Sequence, residues 1–148
     1  TLSNGTELAM GGLSVSLRDY ARFARLYLNN GNYDGTQILA ADWVKDSMNV
    51  DAAYSRPGAN DDAYNVIGYG YQWWVPEGNE GEFMAIGVYG QWIYVNPQRH
   101  VIIVKTSADP DFMEEGYELK HVEFFREVAN GVAPLAALPF PDDRMPPL

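Results

Sequence analysis

The side chains of this chain that could act as nucleophiles are hydroxyls, because its 148 residues include no cysteine. In one recurring arrangement, a serine nucleophile is followed three residues later by the lysine that activates it. No serine of the chain has a lysine at that spacing; the serines are Ser3, Ser14, Ser16, Ser47, Ser55 and Ser107. The sequence therefore contains no nucleophile of the Ser-x-x-Lys type.

The histidines are weak candidates for a general base. His100 lies in a predicted hairpin turn and His121 in a predicted helix, and no serine or carboxylate pattern joins either one into a catalytic triad. We predict surface or packing roles for both. The acidic residues lack the spacing of a calcium loop and the histidines lack that of a zinc site, so we predict no metal and no cofactor.

The charge of the chain excludes two classes of partner. Ten basic residues against 20 acidic residues give a formal charge of -10, which repels nucleic-acid phosphates and anionic membrane surfaces. No apolar run is long enough to span a membrane, and the first residues lack the features of a signal peptide. The localisation stays open between the cytoplasm and an exported compartment. A first residue of Thr1 suits a processed or truncated product.

The first half of the chain predicts helices. Apolar residues recur at helical spacing from about Leu17 to Asn30, and Ser16 with Asp19 forms an approximate capping box at the start. A second, shorter helix is predicted from about Ala41 to Met48. The polar stretch 49–66 lacks periodic apolar residues and contains several Pro, Gly, Asn and Asp breakers, so we predict a loop there.

The second half predicts strands and one more helix. The strands are expected at about 68–75, 82–95 and 101–107, and the helix from about Glu114 to Asn130. A single domain is expected, with three parts. These are a helical portion with its loop (1–66), an antiparallel sheet with the C-terminal helix (67–132), and a proline-rich tail (133–148).

The predicted strand 82–95 is apolar on both faces, which is typical of a sheet that is covered on both sides. The helix at 114–130 can cover only one of them. We therefore expect one face to lack its cover. Such a face would bind the N-terminal half of the same enzyme or a second copy of the chain.

The run of glycine and aromatic residues from Gly68 to Ser107 resembles a known family. Its segments read GYGYQWWV, FMAIGVYGQWIYV, NPQRH and VIIVKTS, and GGLSVSLRDYARFARLYLNNG precedes them at residues 11–31. Together they resemble the C-terminal part of serine hydrolases of the beta-lactamase and penicillin-binding-protein superfamily. The nearest branch contains class C beta-lactamases, esterases and 6-aminohexanoate-dimer hydrolases. The resemblance implies an α+β fold with an antiparallel sheet packed by a C-terminal helix, and with N-terminal helices from the helical subdomain.

The resemblance also implies site residues. The strand segment at Gly87 would form one wall of the active site, and the backbone amide of Val88 would be one donor of the oxyanion hole. Ala85 stands where the family has a lysine or histidine, so that side chain's electrostatic help is missing. The predicted substrate contacts are Tyr89, Gly90, Gln91, Gly11, Gly12 and Asp109. Alternatively, Gly87 and Gly90 mark a β-bulge or close packing of the sheet.

Other matches to family motifs are weaker. Tyr27-Leu28-Asn29 and Tyr94-Val95-Asn96 spell a Tyr-x-Asn motif, but their positions in a helix and beside a hairpin turn indicate coincidence. Lys105-Thr106-Ser107 is predicted to lie opposite residues 88–90 on the next strand, where a strand end with a solvated lysine is the simplest interpretation. The loop 108–115 leaves the same end of the sheet and is a candidate wall of the cleft.

We therefore predict the C-terminal portion of a serine hydrolase that cleaves amide or ester bonds of small molecules. The chain by itself is expected to be inactive, and the substrate stays open among beta-lactams, esters, peptides and nylon-like amides. The alternative is a free-standing module that binds carbohydrate or aromatic ligands on exposed aromatic side chains, or a structural domain. The binding-module alternative depends on Trp73, Trp74, Trp92 and the tyrosines around them.

Overall fold

The computed structural model describes residues 4–6, 11–58 and 66–132. The predicted tail at 133–148 and part of the predicted loop at 49–66 lie outside these residues. The elements, in chain order, are α1 (Leu17–Leu28), β1 (Asn32–Tyr33), β2 (Thr36–Gln37), α2 (Ala41–Ser47), β3 (Gly68–Tyr69), β4 (Trp74–Val75), β5 (Phe83–Gly87), β6 (Gln91–Asn96), β7 (Val101–Lys105) and α3 (Tyr117–Gly131).

Helix α1 begins as the sequence predicts. The Ser16 hydroxyl accepts a hydrogen bond from the Asp19 amide at 3.2 Å and donates one to the Asp19 carboxylate at 2.6 Å. These bonds satisfy an amide that the first helical turn leaves without a partner. The helix ends at Leu28, because Asn30 and Gly31 both adopt positive φ angles and turn the chain toward β1.

The sheet has five antiparallel strands in the order β3-β4-β5-β6-β7. The predicted strand 82–95 is wrong as a single strand, because it is the hairpin of β5 and β6. Tyr89 and Gly90 have φ angles of 60° and 75°, and two successive positive angles reverse the chain where a strand would need extended residues. The predicted strand 68–75 is likewise divided into β3 and β4, with residues 70–73 between them.

Both faces of the sheet are covered by helices. On one face α3 packs through Val122, Phe125 and Ala129 against Met84 and Trp92. On the other, α1 packs through its buried Ala24, together with half-buried neighbours, against a cluster that includes Trp73, Phe83, Ile93 and Val95. The expected gap in the cover is therefore wrong, since α1 fills it. Association with another copy or with an N-terminal half stays a prediction that no longer rests on that face.

Two of the tryptophans that suggested a binding module lie in these cores, whereas the neighbouring Tyr69 and Tyr71 are 41% and 55% exposed. Trp73 and Trp92 are 3% and 1% exposed, and Trp74 is half-buried. A sugar-binding face requires exposed rings on which the ligand can stack. The structure therefore removes the basis for the binding-module alternative at Trp73 and Trp92. No helix within the described ranges is long and apolar enough to cross a membrane.

Candidate active-site turn

The predicted active-site strand ends in a tight turn of Val88, Tyr89 and Gly90, which we call the 88–90 turn. It joins β5 to β6, whose last pair in the register is Gly87 with Gln91. Val88 is 64% exposed and Tyr89 is 54% exposed, whereas Gly90 is buried. The turn thus presents its first two residues at the surface and packs its third against the protein.

Polar groups from β7 and the residues after it hold the carbonyl oxygens of the turn. The Ser107 hydroxyl lies 2.8 Å from the Tyr89 oxygen and 2.7 Å from the Gly90 oxygen, and it can donate to both in a shared hydrogen bond. The Lys105 ammonium donates to the Gly90 oxygen at 3.1 Å, and the Asp109 amide donates to the Tyr89 oxygen at 3.1 Å. Each of the two carbonyl oxygens therefore has two hydrogen-bond donors within reach.

Lys105 is not the solvated strand end that the sequence suggested. Its ammonium group is partly buried and also donates to the Ser107 hydroxyl at 2.9 Å. The predicted proximity of Lys105-Thr106-Ser107 to residues 88–90 is confirmed, because β7 pairs Lys105 with Trp92. Lys105 is partly buried because the buried oxygen of Gly90 is a hydrogen-bond acceptor that competes with water for its ammonium group.

Glycine suits position 90 because its φ angle is positive and the ends of side chains pack closely around it. A Cβ placed there would overlap the Tyr117 hydroxyl and lie 2.7 Å from the Ser107 oxygen, and the positive φ angle adds backbone strain. At position 87, a Cβ would lie 3.0 Å from the Cβ of Gln91, a tight but milder contact. Side chains therefore surround Gly90, whereas the alternative interpretation from the sequence was a β-bulge or close packing of the sheet.

Gln91 and Asp109 connect the turn to the rest of the fold. The Gln91 side-chain amide is partly buried and donates to the backbone oxygen of Ser107. The Asp109 carboxylate accepts hydrogen bonds from the Asp111 amide at 3.1 Å and from the Tyr117 hydroxyl at 2.9 Å. Both predicted contact residues thus lie beside the turn and use their side chains to hold the 107–111 segment in place.

The pKa values of the Asp109 carboxyl and the Tyr117 phenol are both shifted. Hydrogen bonds from the Asp111 amide and the Tyr117 hydroxyl lower the pKa of Asp109 below its ordinary value. Burial, strengthened by the hydrogen bond to the Asp109 carboxylate, raises the pKa of Tyr117 to about 12. At neutral pH Asp109 is therefore an anion, and Tyr117 is a neutral donor to it.

Like the amides of Tyr89 and Gly90, the amide of Val88 is an open donor of the turn. Within the part of the chain that the structure describes, it donates no hydrogen bond to a backbone or side-chain acceptor. It follows Gly87, which pairs with Gln91 of β6, so the register of the hairpin sets where the turn begins. An amide that is fixed, accessible and unpaired can bind an oxyanion.

The other predicted residues lie elsewhere or have packing roles. Gly11 and Gly12 are exposed ahead of α1, and no described contact joins them to the 88–90 turn. His121 stacks on Trp92 with a ring separation of 5.0 Å, and His100 is exposed in the turn after β6, as predicted. Among the described residues, no group of His, Cys, Asp and Glu could hold a metal ion.

The Tyr-x-Asn matches are coincidences. The ring of Tyr27 packs edge-on against Trp73 in the core, and the buried Tyr94 donates its hydroxyl to Glu82. A pocket of about 200 Å³ lies beside Glu82 and Arg126, at the end of the β5–β6 hairpin opposite to the 88–90 turn. The Glu82 carboxylate in this pocket already has hydrogen-bond partners. The pocket is separate from the candidate site because it lies at the other end of the hairpin.

Two participants in the candidate site were missed by the sequence reasoning. Tyr117 was placed only within the predicted helix at 114–130, and Lys105 was placed near residues 88–90 but interpreted as a solvated strand end. A signal existed for Tyr117, because a tyrosine at the start of a helix can reach the loop that precedes it. Nothing local in the sequence indicated that its hydroxyl would close the space above Gly90.

Comparison with known proteins agrees with this architecture. The family model described as Beta-lactamase matches residues 2–124. A 6-aminohexanoate-dimer hydrolase of Paenarthrobacter ureafaciens is 32% identical over 111 residues, which are 72% of this chain and 28% of that protein. Among solved structures, a Bacillus anthracis protein with the provisional name 6-aminohexanoate-dimer hydrolase has a TM-score of 0.65 and 32% identity, covering 80% of this chain and 29% of that one.

A second solved structure supports the fold alone. It is a Bacteroides dorei protein provisionally named a beta-lactamase, with a TM-score of 0.57 and 19% identity over 88% of this chain and 44% of that one. The chain thus spans less than a third of the length of the two 6-aminohexanoate-dimer hydrolases. The match over most of its length and the shared α+β architecture establish that the chain belongs to the beta-lactamase family.

Proposed function

We propose that this chain supplies one wall of the substrate cleft in a serine hydrolase that cleaves amide or ester bonds of small molecules. The backbone amide of Val88 is one of the two donors of its oxyanion hole. The observation that carries the proposal is the unpaired Val88 amide on an exposed turn whose Tyr89 and Gly90 carbonyl oxygens are held by other groups.

An oxyanion donor must be in place before the charge develops. Attack on a carbonyl carbon moves negative charge onto its oxygen, and a donor that needs no reorganisation stabilises the transition state more than the substrate. The sheet sets the end of β5, and the hydrogen bonds from Ser107, Lys105 and Asp109 fix the peptides that follow. The Val88 amide is thereby preorganised.

The nucleophile in this proposal lies N-terminal to the present chain. A serine with its lysine would be acylated by the substrate and then deacylated by water. Two observations support this division: the chain contains no Ser-x-x-Lys, and it spans only 28% of its 6-aminohexanoate-dimer hydrolase relative. The 148 residues alone are therefore expected to be inactive.

The surroundings of the turn favour a small, partly apolar substrate. The exposed ring of Tyr89 packs against Phe112 at a centroid separation of 5.1 Å, so an aromatic surface adjoins the Val88 amide. An alkyl chain beside an amide or ester bond can lie on such a surface. Gly87, Tyr89 and Gln91 with Asp109 form this side of the cleft, and Gly11 and Gly12 are proposed for its rim.

The N-terminal part of the same enzyme is the proposed partner of the chain. Leu13, Val15 and Leu17 are 60%, 42% and 50% exposed just before and at the start of α1. Exposed apolar residues this close together are typical of a surface that another segment covers. Association of two copies through the same surface is the alternative partner.

The experiment compares Val88→Pro with Val88→Ala in the full-length polypeptide that contains this chain. Proline removes the amide hydrogen, and because that amide has no internal acceptor, no hydrogen bond of the fold is lost. Alanine keeps the amide and shortens an exposed side chain. Hydrolysis of the linear 6-aminohexanoate dimer, a p-nitrophenyl ester and a chromogenic beta-lactam would be followed.

We expect Val88→Pro to lower kcat about 100-fold to 1000-fold on the preferred substrate, the loss typical for one oxyanion donor. Val88→Ala should stay within about threefold of the unsubstituted protein, since exposed side chains contribute little. Equal activity of the two variants, with both folded by circular dichroism, would refute the assignment of Val88. Absence of hydrolysis of all three substrates by the unsubstituted polypeptide would refute the proposed function.

A further inference from the structure

At the C-terminal end of β7, Lys105 and Ser107 form a hydrogen-bonded group that the proposed reaction does not itself require. Ser107 and Lys105 contact each other and both contact the turn, yet neither is a candidate nucleophile or base in the proposal above. The Ser107 hydroxyl has the Tyr89 and Gly90 oxygens as acceptors and the Lys105 ammonium as a donor. Its single proton and one of its lone pairs are thus directed by fixed neighbours.

We propose that Ser107, oriented by Lys105, is a positioning residue that holds the 88–90 turn in the conformation that presents the Val88 amide to the substrate. The inference rests on the proposed function of that amide. Ser107 does not touch the reacting atoms, so it would act only through the backbone of the turn.

The backbone of the turn needs such support. Tyr89 adopts a φ angle of 60°, a left-handed conformation that is strained for a residue with a side chain. Without hydrogen bonds to its carbonyl oxygen, the peptide after Tyr89 can rotate and relieve that strain. The Ser107 hydroxyl and the Asp109 amide hold this oxygen from two directions, which opposes the rotation.

The Lys105 ammonium adds charge to this arrangement. Donating to both the Gly90 oxygen and the Ser107 oxygen, it fixes the hydroxyl so that its proton points to the turn. A hydrogen bond from a charged donor is stronger than one from a neutral donor. Lys105 therefore orients the Ser107 hydroxyl. It also holds the peptide that follows Gly90 directly, through the Gly90 carbonyl oxygen.

The test compares Ser107→Ala, Ser107→Thr and the control Thr106→Ala in the full-length polypeptide. Thr106 is the exposed neighbouring residue, and in the described part of the chain its hydroxyl has no hydrogen-bond partner. We expect Ser107→Ala to lower kcat about 10-fold to 100-fold with KM changed less than about threefold, because a misplaced donor affects the transition state most. Ser107→Thr, which keeps the hydroxyl, should recover most of kcat, and Thr106→Ala should match the unsubstituted protein.

A double-mutant cycle separates this role from a general loss of structure. If Ser107 acts through the Val88 amide, Ser107→Ala should lower kcat less than about threefold on the Val88→Pro background, where that amide hydrogen is already absent. Full additivity of the two losses, or equal kcat of Ser107→Ala and Thr106→Ala, would overturn the inference while leaving the proposed function intact. Equal activity of Val88→Pro and Val88→Ala would instead overturn the assignment of Val88, and this inference with it.

A structural measurement on the 148-residue chain needs no activity. In solution NMR, Ser107→Ala should shift the amide resonances of Val88, Tyr89 and Gly90 and broaden them by exchange between turn conformations, whereas Thr106→Ala should leave them in place. Unchanged, sharp resonances of the 88–90 turn in Ser107→Ala would overturn the inference irrespective of any kinetic result.

Discussion

Arg126 of α3 lies 2.6 Å from the carboxylate of Glu82, a residue just before β5 whose side chain is 2% exposed. The same carboxylate accepts a hydrogen bond from the Tyr94 hydroxyl of β6. The Arg126 guanidinium also donates to the backbone oxygen of Glu77 at 2.7 Å. One arginine thus ties the helix to the sheet and to the loop before β5, at the end of the hairpin opposite to the 88–90 turn.

We expect a large loss of stability when one partner of the Arg126–Glu82 pair is removed. Arg126→Ala leaves the buried carboxylate of Glu82 without its counter-charge, so the free energy of unfolding should fall by about 3 kcal/mol. Arg99→Ala is the matched control, since Arg99 pairs with Glu80 nearer the surface, at 2.9 Å. It should cost about 1 kcal/mol or less. Urea unfolding followed by circular dichroism measures both, and equal losses would contradict the importance of burial.

Gly90→Ala is predicted to disturb the fold more than an ordinary glycine substitution. The new Cβ would meet the Tyr117 hydroxyl and the Ser107 oxygen in a left-handed backbone conformation, so the cost should exceed about 2 kcal/mol. Gly35→Ala is the control, because Gly35 has a φ angle of 89° with open space around it. It should cost about 1 kcal/mol, the strain alone. Thermal unfolding of the two variants would show the difference, and a smaller loss for Gly90→Ala would contradict the packing around the turn.

The stability of the chain should fall at alkaline pH because of Tyr117. Its pKa is raised to about 12 in the folded state, against about 10 in an unfolded chain. Between these values the folded state binds more protons than the unfolded state, so the free energy of unfolding declines as pH rises from 10 to 12. Below pH 10 this contribution is fully present. Burial also raises the pKa of Tyr94, which adds to the decline.

Tyr117→Phe should reduce this alkaline decline, and Tyr54→Phe should leave it unchanged, since Tyr54 is 85% exposed. The measurement is the denaturant midpoint of each variant between pH 8 and pH 12. Because Asp109 would lose its phenol donor, the Tyr117→Phe chain should also be less stable at neutral pH. An alkaline decline identical in all three proteins would show that Tyr117 does not contribute to it.

Local patterns predicted the helices well. The start of α1 depends on the Ser16 and Asp19 side chains within a single turn, and its apolar positions repeat at helical spacing. The faces of β5 and β6 were also predictable, because Phe83 and Val95 are apolar on one side and Met84 and Tyr94 on the other. These features follow from contacts between residues close in the sequence.

The division of 82–95 into two strands was harder to predict. The residues Val88-Tyr89-Gly90 contain none of the Asn-Gly or Asp-Gly pairs that usually mark a tight hairpin. Tyr89 is an unfavourable residue for a positive φ angle, and hydrogen bonds from residues about 18 positions later hold it there. The residue type at position 89 indicates that a positive φ angle is unfavourable there. The hydrogen bonds that offset this cost come from distant residues and cannot be predicted from the local sequence.

By itself, the sequence determined the family, the α+β class, the helix capped by Ser16 and the placement of Lys105 and Ser107 near residues 88–90. Only the tertiary structure decided that α1 covers the second face of the sheet, that Tyr117 closes over Gly90, and that Glu82 is buried against Arg126. The physical reason is separation along the chain. Periodicity and capping act within a few residues, whereas the Glu82–Arg126 contact joins residues 44 positions apart and requires α3 to lie against the sheet.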